Sequence, residues 1–347
     1  MQWEKLLSLR KQGTQKRIRS EEDESRLNFE VDYDRVIFSS SFRSLQDKTQ
    51  VIPLSKKSFV HTRLTHSLEV SVVGRTLGRL VGQAILERHP SLHTYHIYQA
   101  NDFGAIVAAA ALAHDIGNPP FGHSGEKAIG EYFSRGEGER FRPMLTELQY
   151  QDLIDFEGNA NGFKILTESK DGVEGGLRLT YATLGAFTKY PKVSLPKKPT
   201  RDVSEKKFGI FQNDLDFFEE VAEDLGLIRK DYPGGWCRHP LSFLVEAADD
   251  ICYTIIDFED GINLGWIEEE LALELLSNLV RPNLRTEVYS RLKTMKTRVA
   301  NLRSLAINTL TKEAAEIFIS NEDQILAGTF NTSLIEKSRF KAQIDDI

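Results

Sequence analysis

Residues 108–126 read AAAALAHDIGNPPFGHSGE, an alanine-rich run followed directly by a histidine, an aspartate and a proline-containing turn. The apolar stretch 103–113 predicts a buried helix, and Gly117 with the prolines behind it ends that helix. His114 and Asp115 are therefore expected at the edge of the core. A carboxylate buried there requires a cationic partner, although the helix dipole alone also favours a histidine at a helix C-terminus.

A second histidine opens another apolar helix. His66 lies in the sequence RLTHSLE, and from residue 65 to about residue 88 apolar side chains recur at helical spacing. The positions that we expect on the buried face of this helix are Leu68, Val72, Leu77, Leu80, Val81 and Ile85.

A third segment offers further carboxylates. Residues 246–257 read EAADDICYTIID, in which Asp249, Tyr253 and Asp257 are spaced i, i+4, i+8 and so share one helix face. Such a stripe is most often a solvated acidic surface. Joined to the two histidine segments, however, it predicts a site with two imidazoles and two carboxylates. That donor set suits Mn, Fe, Co, Zn or Mg.

The remainder of the chain predicts a mostly α-helical protein. Residues 49–54 and 58–63 are short β-like runs around the polar turn SKK, which is typical of a small hairpin. The segment 136–210 is rich in Gly, Lys and Pro, and we expect it to be an excursion over the core. A helix is expected over about 240–258, with two or three more after residue 267. We predict an all-α protein with a small β-hairpin, built as one domain over 1–347 with a core of about 37–260 and a helical extension over 261–347.

Composition narrows the class of protein. The net charge of −7 and the pI near 5.7 give no basic excess for binding nucleic acid over the whole surface. Two isolated cysteines, Cys237 and Cys252, indicate a reducing compartment without a disulfide framework. The first residues, MQWEKLLSLRKQG, lack the apolar core of a signal peptide. The apolar stretch 103–113 is too short to span a bilayer. We therefore expect a cytoplasmic protein without membrane association.

Two other patterns carry less weight. His89, His93 and His96 cluster in sequence, but Pro90 interrupts the helix between them, so we do not expect a metal site there. The glycine-rich fragment GVEGG at 172–176 lacks the Lys-Ser/Thr pair of a phosphate-binding loop.

The motifs taken together resemble the HD phosphohydrolase superfamily, and in particular its deoxyguanosine-triphosphatase branch. The long string HDIGNPPFGHSGE is the most specific match, whereas a bare His-Asp pair is not specific. The resemblance implies an all-helical fold built around an HD-domain bundle. The matching stretches, in the order of the family, are SSSFRSLQDKTQVIPL (39–54), HTRLTHSLEV (61–70), AHDIGNPPFGHSGE (113–126), DFEGNANGF (155–163), LTYATLGAFTKYP (179–191), KKFGIFQ (206–212) and HPLSFLVEAADDICYTIIDFED (239–260).

The resemblance implies a metal site and a catalytic pair. The metal ligands that it implies are His66, His114, Asp115 and Asp249, with Asp250 as the rival for the fourth position. We prefer Asp249 because it places Tyr253 and Asp257 where the family has groups that contact the sugar. The second conserved histidine and acid of the family fall on His123 and Glu126, beside the α-phosphate.

Substrate contacts are implied as well. Gln50 and Arg63 match positions that contact the deoxyribose and a phosphate. Lys189, Tyr190 and Lys207 match contacts to the phosphate tail. Two further residues of the FEGNA segment, at 157 and 159, fall beside the site without an assigned role.

By this resemblance, the expected reaction is metal-dependent hydrolysis of deoxynucleoside triphosphates to deoxynucleoside and triphosphate. Relatives form homo-oligomers, and some respond to dNTP effectors or single-stranded DNA, so both properties are expectations for this chain. Relatives also usually continue with a further helical segment, part of which we expect this chain to lack. Two alternatives stay open: an HD phosphohydrolase for another nucleotide phosphoester, and a nucleotide or nucleic-acid sensor without turnover.

Overall fold

The computed structural model describes residues 1–13, 28–52, 60–94, 96–169 and 175–347. The predicted all-α class is confirmed, because the described residues form helices and only isolated β-bridges. The helices of the first half are α1 (Trp3–Leu6), α2 (Glu30–Ile37), α3 (Ser40–Arg43), α4 (Arg63–Arg88), α5 (Pro90–Thr94), α6 (Ala100–Ala113), α7 (His123–Arg135), α8 (Glu147–Ile154) and α9 (Gly158–Thr167). The second half contains α10 (Tyr181–Phe187), α11 (Leu215–Leu225), α12 (Ser242–Asn263), α13 (Glu269–Val280), α14 (Thr286–Tyr289), α15 (Met295–Ser320), α16 (Glu322–Leu326) and α17 (Lys341–Asp346).

Short 3₁₀ helices connect several of these elements. They span Ser44–Asp47, Glu137–Met144, Val203–Glu205, Gln212–Asp214, Arg281–Asn283 and Ile335–Lys337. None of the helices in the described part of the chain combines the length and the apolarity needed to cross a bilayer.

Helices α4 and α6 form the centre of the fold, and glycines set how closely they pack. A Cβ atom on Gly78 would lie 2.6 Å from the carbonyl oxygen of Phe103, which is closer than atoms can approach. Gly74 and Gly82 lie one turn away on either side and also face α6. The contact face of α4 therefore follows a row of small residues spaced by four.

This glycine row rotates α4 relative to the face that we predicted from its large apolar residues. Leu77, Val81 and Ile85 are buried as expected. The prediction was wrong for Val72 and Leu80, which are 59% and 40% exposed. Both lie about half a turn away from the glycine row, so the close contact with α6 turns them to solvent.

The turn after α6 brings Gly117 against the glycines of a neighbouring helix. A Cβ atom on Gly117 would lie 2.1 Å from the carbonyl oxygen of Gly158, at the start of α9. Helix α7 then begins at His123, with Gly122 before it in a positive-φ conformation of 53° that favours glycine. The turn and α7 thus carry His123 to the same end of α6 as His114.

The segment 136–210 differs in part from our expectation. Its described residues form three α-helices and two 3₁₀ helices, and the whole of α10 is buried against α6, α11 and α12. Thr180 caps α10 by accepting a hydrogen bond from the backbone nitrogen of Thr183, and the buried Asp32 accepts one from Thr180. The predicted excursion over the core is therefore wrong for residues 181–187. Seven residues are too few to show a helical period in the sequence.

The turn of the predicted β-hairpin and the adjoining ends of its two runs lie outside the described residues, which omit 53–59. At its base, Thr49 and Thr62 form an isolated antiparallel bridge, and the backbone nitrogen of Arg63 donates to the carbonyl oxygen of Lys48 at 2.9 Å. The hairpin itself stays a prediction.

The C-terminal helices pack onto the same core. Helix α15 lies against α4, α12 and α13, and α12 also packs against α4. Our expectation of a single domain requires this packing, and the domain limits stay a prediction.

Candidate metal centre and active site

Three of the predicted ligands converge at one point. His66 near the start of α4, His114 directly after α6, and Asp249 in α12 place one potential ligand atom each within 4.8 Å of one another. His66 Nε2 lies 3.1 Å from Asp249 Oδ1, and His114 Nε2 lies 3.5 Å from the same oxygen. Three helices distant in sequence therefore build the cluster.

The fourth predicted ligand, Asp115, lies beside this cluster and holds other partners. Its Oδ1 is 3.6 Å from His114 Nε2, and its Oδ2 accepts a hydrogen bond from Arg63 Nη1 at 2.6 Å. Asn118 also donates to Asp115. The carboxylate is thus within reach of the cluster while its charge is balanced by a guanidinium.

The electrostatics of the cluster fit a cation. Burial alone would raise the pKa of Asp249, but the imidazoles of His114 and His66 hold it well below its usual range. Burial alone would lower the pKa of His66, but the hydrogen bond and charge of Asp249 raise it. The carboxylate is therefore ionised, and positive charge at this point is favourable.

The tautomer of His114 also fits a metal ligand. Its Nδ1 donates to the carbonyl oxygen of Ala111 at 2.7 Å, which leaves Nε2 as the acceptor in the neutral ring. A backbone carbonyl that fixes the far nitrogen is a usual second contact of histidine ligands. Two imidazole nitrogens with one or two carboxylates form a donor set for a divalent transition metal. The residues present therefore fit such an ion.

The cluster lies in a cavity of about 540 Å³ that collects almost all of the predicted site residues. Positive side chains dominate its charged lining outside the metal cluster, including Lys206, which we did not predict. The predicted residues that line this cavity are Gln50, Arg63, His66, His114, Asp115, His123, Lys189, Tyr190, Lys207, Asp249 and Tyr253.

The predicted catalytic pair is in contact. His123 Nδ1 lies 2.7 Å from Glu126 Oε2, and the His123 side chain is 82% exposed at the cavity wall. Glu126 is buried, and its other oxygen accepts a hydrogen bond from the backbone nitrogen of Gly158 at 2.8 Å. The backbone of Gly158 therefore holds Glu126, and Glu126 orients His123. Because Nδ1 of His123 is bonded to Glu126, its Nε2 is the ring nitrogen that can act on a substrate.

The two lysines that are predicted to bind the phosphates each form an ion pair with an acidic side chain. Lys189 Nζ lies 3.5 Å from Glu246 Oε1 and 3.9 Å from Asp249 Oδ2. Lys207 Nζ lies 3.1 Å from Glu157 Oε1. Although Lys207 opposes the shift, burial raises the pKa of Glu157. This gives Glu157, to which we had assigned no role, a contact with a predicted phosphate ligand.

The sequence analysis did not identify the residues that hold Lys189 and Glu246 in place. Arg238 forms two hydrogen bonds to Glu246, at 2.6 and 3.2 Å, and its Nε donates to the carbonyl oxygen of Lys189 at 2.7 Å. Glu246 precedes Asp249 by three residues and so shares its helix face, which was an available signal. Nothing in the sequence pairs Arg238 with Glu246. Lys48 was also missed, and its Nζ donates to the carbonyl oxygen of Asn118 at 2.6 Å.

The remaining predicted residues lie farther out. Tyr253 is 56% exposed at the mouth of the cavity. Asp257, one turn beyond it, borders a neighbouring cavity together with Tyr253. Among the described residues that line the main cavity, Asp249 is present and Asp250 is absent. Burial raises the pKa of Asp250 to about 7, although Lys189 opposes the shift.

Comparisons with known proteins identify the relatives of this chain. The family model of the HD domain matches residues 63–158, which include His66, the His114–Asp115 pair, His123 and Glu126. A deoxyguanosinetriphosphate triphosphohydrolase-like protein of Synechocystis sp. is 46% identical over 100% of the chain and 78% of its own length.

Two further relatives extend the comparison. A deoxyguanosinetriphosphate triphosphohydrolase-like protein of Pseudomonas aeruginosa is 41% identical over 99% of the chain and 76% of its own length. A deoxyguanosinetriphosphate triphosphohydrolase of Salmonella arizonae is 33% identical over 89% of the chain and 67% of its own length.

Proposed function

The chain belongs to the deoxyguanosinetriphosphate triphosphohydrolase family of HD-domain proteins, and on this premise we propose that it hydrolyses deoxynucleoside triphosphates to deoxynucleoside and triphosphate with a divalent metal. One observation carries the proposal. The His66–His114–Asp249 cluster and the His123–Glu126 pair lie at one cavity whose other charged lining is mainly cationic. This arrangement suits a polyanion that reacts at the phosphorus nearest the metal.

The residues that would hold the metal are His66, His114 and Asp249, with Asp115 beside them. A divalent cation bound there supplies charge neutralisation at the α-phosphate and Lewis acidity. Asp249 is the preferred carboxylate over Asp250, because its oxygen faces both imidazoles.

In the proposed reaction, other side chains of the cavity bind the phosphates and transfer a proton. Arg63, Lys189 and Lys207 bind the phosphate oxygens and stabilise the charge that develops on them. The oxygen of water bonds to the α-phosphorus, and the bond between that phosphorus and O5′ of the sugar breaks. In our proposal His123 acts as general acid and gives the leaving O5′ its proton, while Glu126 orients the ring. The attacking water releases its proton to solvent, and solvent reprotonates His123 before the next turnover.

The sugar follows along α12. Asp249, Tyr253 and Asp257 are spaced by four residues, so each lies about one turn beyond the previous one. A helical turn rises about 5.4 Å, which is close to the step from the α-phosphate to the sugar ring. In our proposal Tyr253 contacts the deoxyribose face, with Asp257 and Gln50 at the 3′-hydroxyl. A 2′-hydroxyl at Tyr253 would lose its water without gaining a partner, which disfavours ribonucleotides.

The test is a screen of all common dNTPs and NTPs with Mg²⁺ or Mn²⁺, with the products separated by ion chromatography. We expect triphosphate from one or more dNTPs and no reaction after chelation of the metal. Phosphate or pyrophosphate as the product would replace the proposal with a phosphohydrolase for another nucleotide ester. Nucleotide binding without any turnover would replace it with a sensor.

The wider setting is part of the same proposal. We propose that the chain forms a homo-oligomer, as the family resemblance implies. We also propose that it is cytoplasmic, as its two isolated cysteines suggest, and built as a single domain, as its helical pattern suggests. An additional effector, a dNTP or single-stranded DNA, would change turnover without itself being hydrolysed.

A further inference from the structure

A second cavity, of about 360 Å³, adjoins the metal-bearing cavity. The two share Val51 and Tyr253 in their walls, so they meet at the outer end of the proposed phosphate and sugar path. The inference drawn from this second cavity rests on the proposed function.

The two cavities differ in chemistry. The metal-bearing cavity carries most of the charged side chains described above. The second is walled mainly by apolar and aromatic side chains, among them Phe258, Trp266 and Ile267. Its two carboxylates are Asp257, one turn beyond Tyr253 on α12, and Asp260, which is bonded to His61. The lining therefore changes from charged in the first cavity to mainly apolar in the second, which matches a ligand that is ionic at one end and aromatic at the other.

Trp266 is the unusual member of this wall. Its side chain is 69% exposed, whereas Trp3 and Trp236 are each 2% exposed. A large aromatic side chain left open to water beside a substrate cavity retains most of its apolar surface for a ligand.

The backbone holds Trp266 in place. The backbone nitrogen of Trp266 donates to the carbonyl oxygen of Gly261 at 3.0 Å, and the backbone nitrogen of Gly265 donates to the carbonyl oxygen of Ile262 at 2.9 Å. Gly265 has a φ of 75°. These two bonds form a Schellman motif that ends α12. The same helix that carries Asp249, Tyr253 and Asp257 therefore also fixes the backbone from which the indole projects.

We propose that this second cavity binds the nucleobase of the deoxynucleoside triphosphate and that the base stacks on the indole of Trp266. The occupant follows from continuity, because a ligand with its α-phosphate at Asp249 and its sugar at Tyr253 extends its base toward the shared wall at Val51. Stacking uses the ring face that every base offers, so this site contributes affinity for all bases.

Fluorescence provides a direct test. All three tryptophans are described, and Trp266 is the one open to solvent, so a stacked base should quench mainly its emission. The protein carrying His123→Ala, titrated with a dNTP and Mg²⁺, should show saturable quenching that disappears on adding Trp266→Phe. Inorganic tripolyphosphate, which has no base, should bind without quenching. Equal quenching by both ligands, or by neither, would overturn the proposal.

Kinetics separates the base from the phosphates. Trp266→Ala should raise KM for a dNTP about tenfold with little change in kcat, and should leave inhibition by tripolyphosphate unchanged. Trp266→Phe should restore most of the affinity. The matched control is Phe38→Ala, which removes an aromatic side chain that is 74% exposed and borders neither cavity. An equal effect of Trp266→Ala on tripolyphosphate would contradict the base site.

The two proposals fail in different ways. If no dNTP is hydrolysed, the proposed function is wrong, and the titration with dNTP against tripolyphosphate still decides the base site. If dNTPs are hydrolysed but Trp266→Ala leaves KM unchanged, only the base site is wrong.

Discussion

Arg238 Nη1 lies 2.6 Å from Glu246 Oε2, and both side chains are almost completely buried. The same guanidinium donates through Nε to the carbonyl oxygen of Lys189. Glu246 in turn contacts Lys189 Nζ, which faces Asp249. The pair therefore connects the wall of the active-site cavity to the residue proposed to bind the metal.

We predict that Arg238→Met destabilises the protein by about 3 kcal/mol. The substitution removes both Arg238 hydrogen bonds from the buried Glu246 carboxylate and leaves only Lys189 Nζ, at 3.5 Å, as a counter-ion. A buried charge that loses its main partner is costly. Urea unfolding followed by circular dichroism measures the change. A loss below about 1 kcal/mol would mean that the cavity hydrates Glu246.

The control is the double variant Arg238→Met with Glu246→Met. Removing both charges should cost less than the sum of the two single variants, because no unpaired acid remains. Additive losses would show that the two side chains stabilise the fold independently.

We predict that Asp249→Ala loses metal and activity together, whereas His123→Ala keeps its metal. His123 lies beyond the three-residue cluster and is held by Glu126 instead. Its loss should slow turnover by roughly two to four orders of magnitude, the usual size of a general acid–base contribution. Metal analysis of both purified variants decides the matter, and a metal-free His123→Ala protein would make His123 a ligand.

We predict that Tyr253→Ala narrows the preference for dNTPs over NTPs, because the ring no longer excludes the 2′-hydroxyl. Asp257→Ala should weaken dNTP binding with little change in that preference. The measurement is the ratio of dGTP to GTP turnover for each variant, with melting temperatures recorded in parallel. A Tyr253→Ala protein with lower stability but an unchanged ratio would show that the tyrosine only packs.

We predict that stability falls as the pH drops from about 6.5 toward 4 because of His239. This buried side chain donates from Nε2 to the carbonyl oxygen of Leu6 and accepts at Nδ1 from Leu241. Burial lowers its pKa to about 4. Between pH 6.5 and 4, His239 is therefore mostly protonated in the unfolded chain and mostly neutral in the folded chain. The slope approaches about 1.4 kcal/mol per pH unit for one proton.

His239→Gln tests this assignment, since an amide retains a donor for Leu6 but does not titrate in this range. The variant should be less stable at pH 8, with a shallower fall of unfolding free energy between pH 6.5 and 5. His96→Gln, at an exposed histidine, should keep the wild-type slope. Parallel curves for wild type and His239→Gln would assign the pH dependence to other groups.

The sequence was enough to predict the class of fold and most of the residues that line the main cavity. The apolar run before His114 and the turn after it predicted both the end of a buried helix and the position of the His-Asp pair. The spacing of Asp249, Tyr253 and Asp257 predicted a shared helix face, because helical periodicity is a local property. Each of these predictions concerns residues within one helix or one turn.

Tertiary structure alone decided which faces meet and which side chains pair. The glycine row through Gly78 turned α4 toward α6 and exposed Val72, although Val72 fits an apolar stripe. The Arg238–Glu246 pair depends on how the chain turns before α12 begins, and the second cavity depends on Val51 and Ile344 meeting the end of α12. No local period encodes either arrangement. Packing between helices is set by the shape of both surfaces at once, so the sequence of either helix cannot determine it alone.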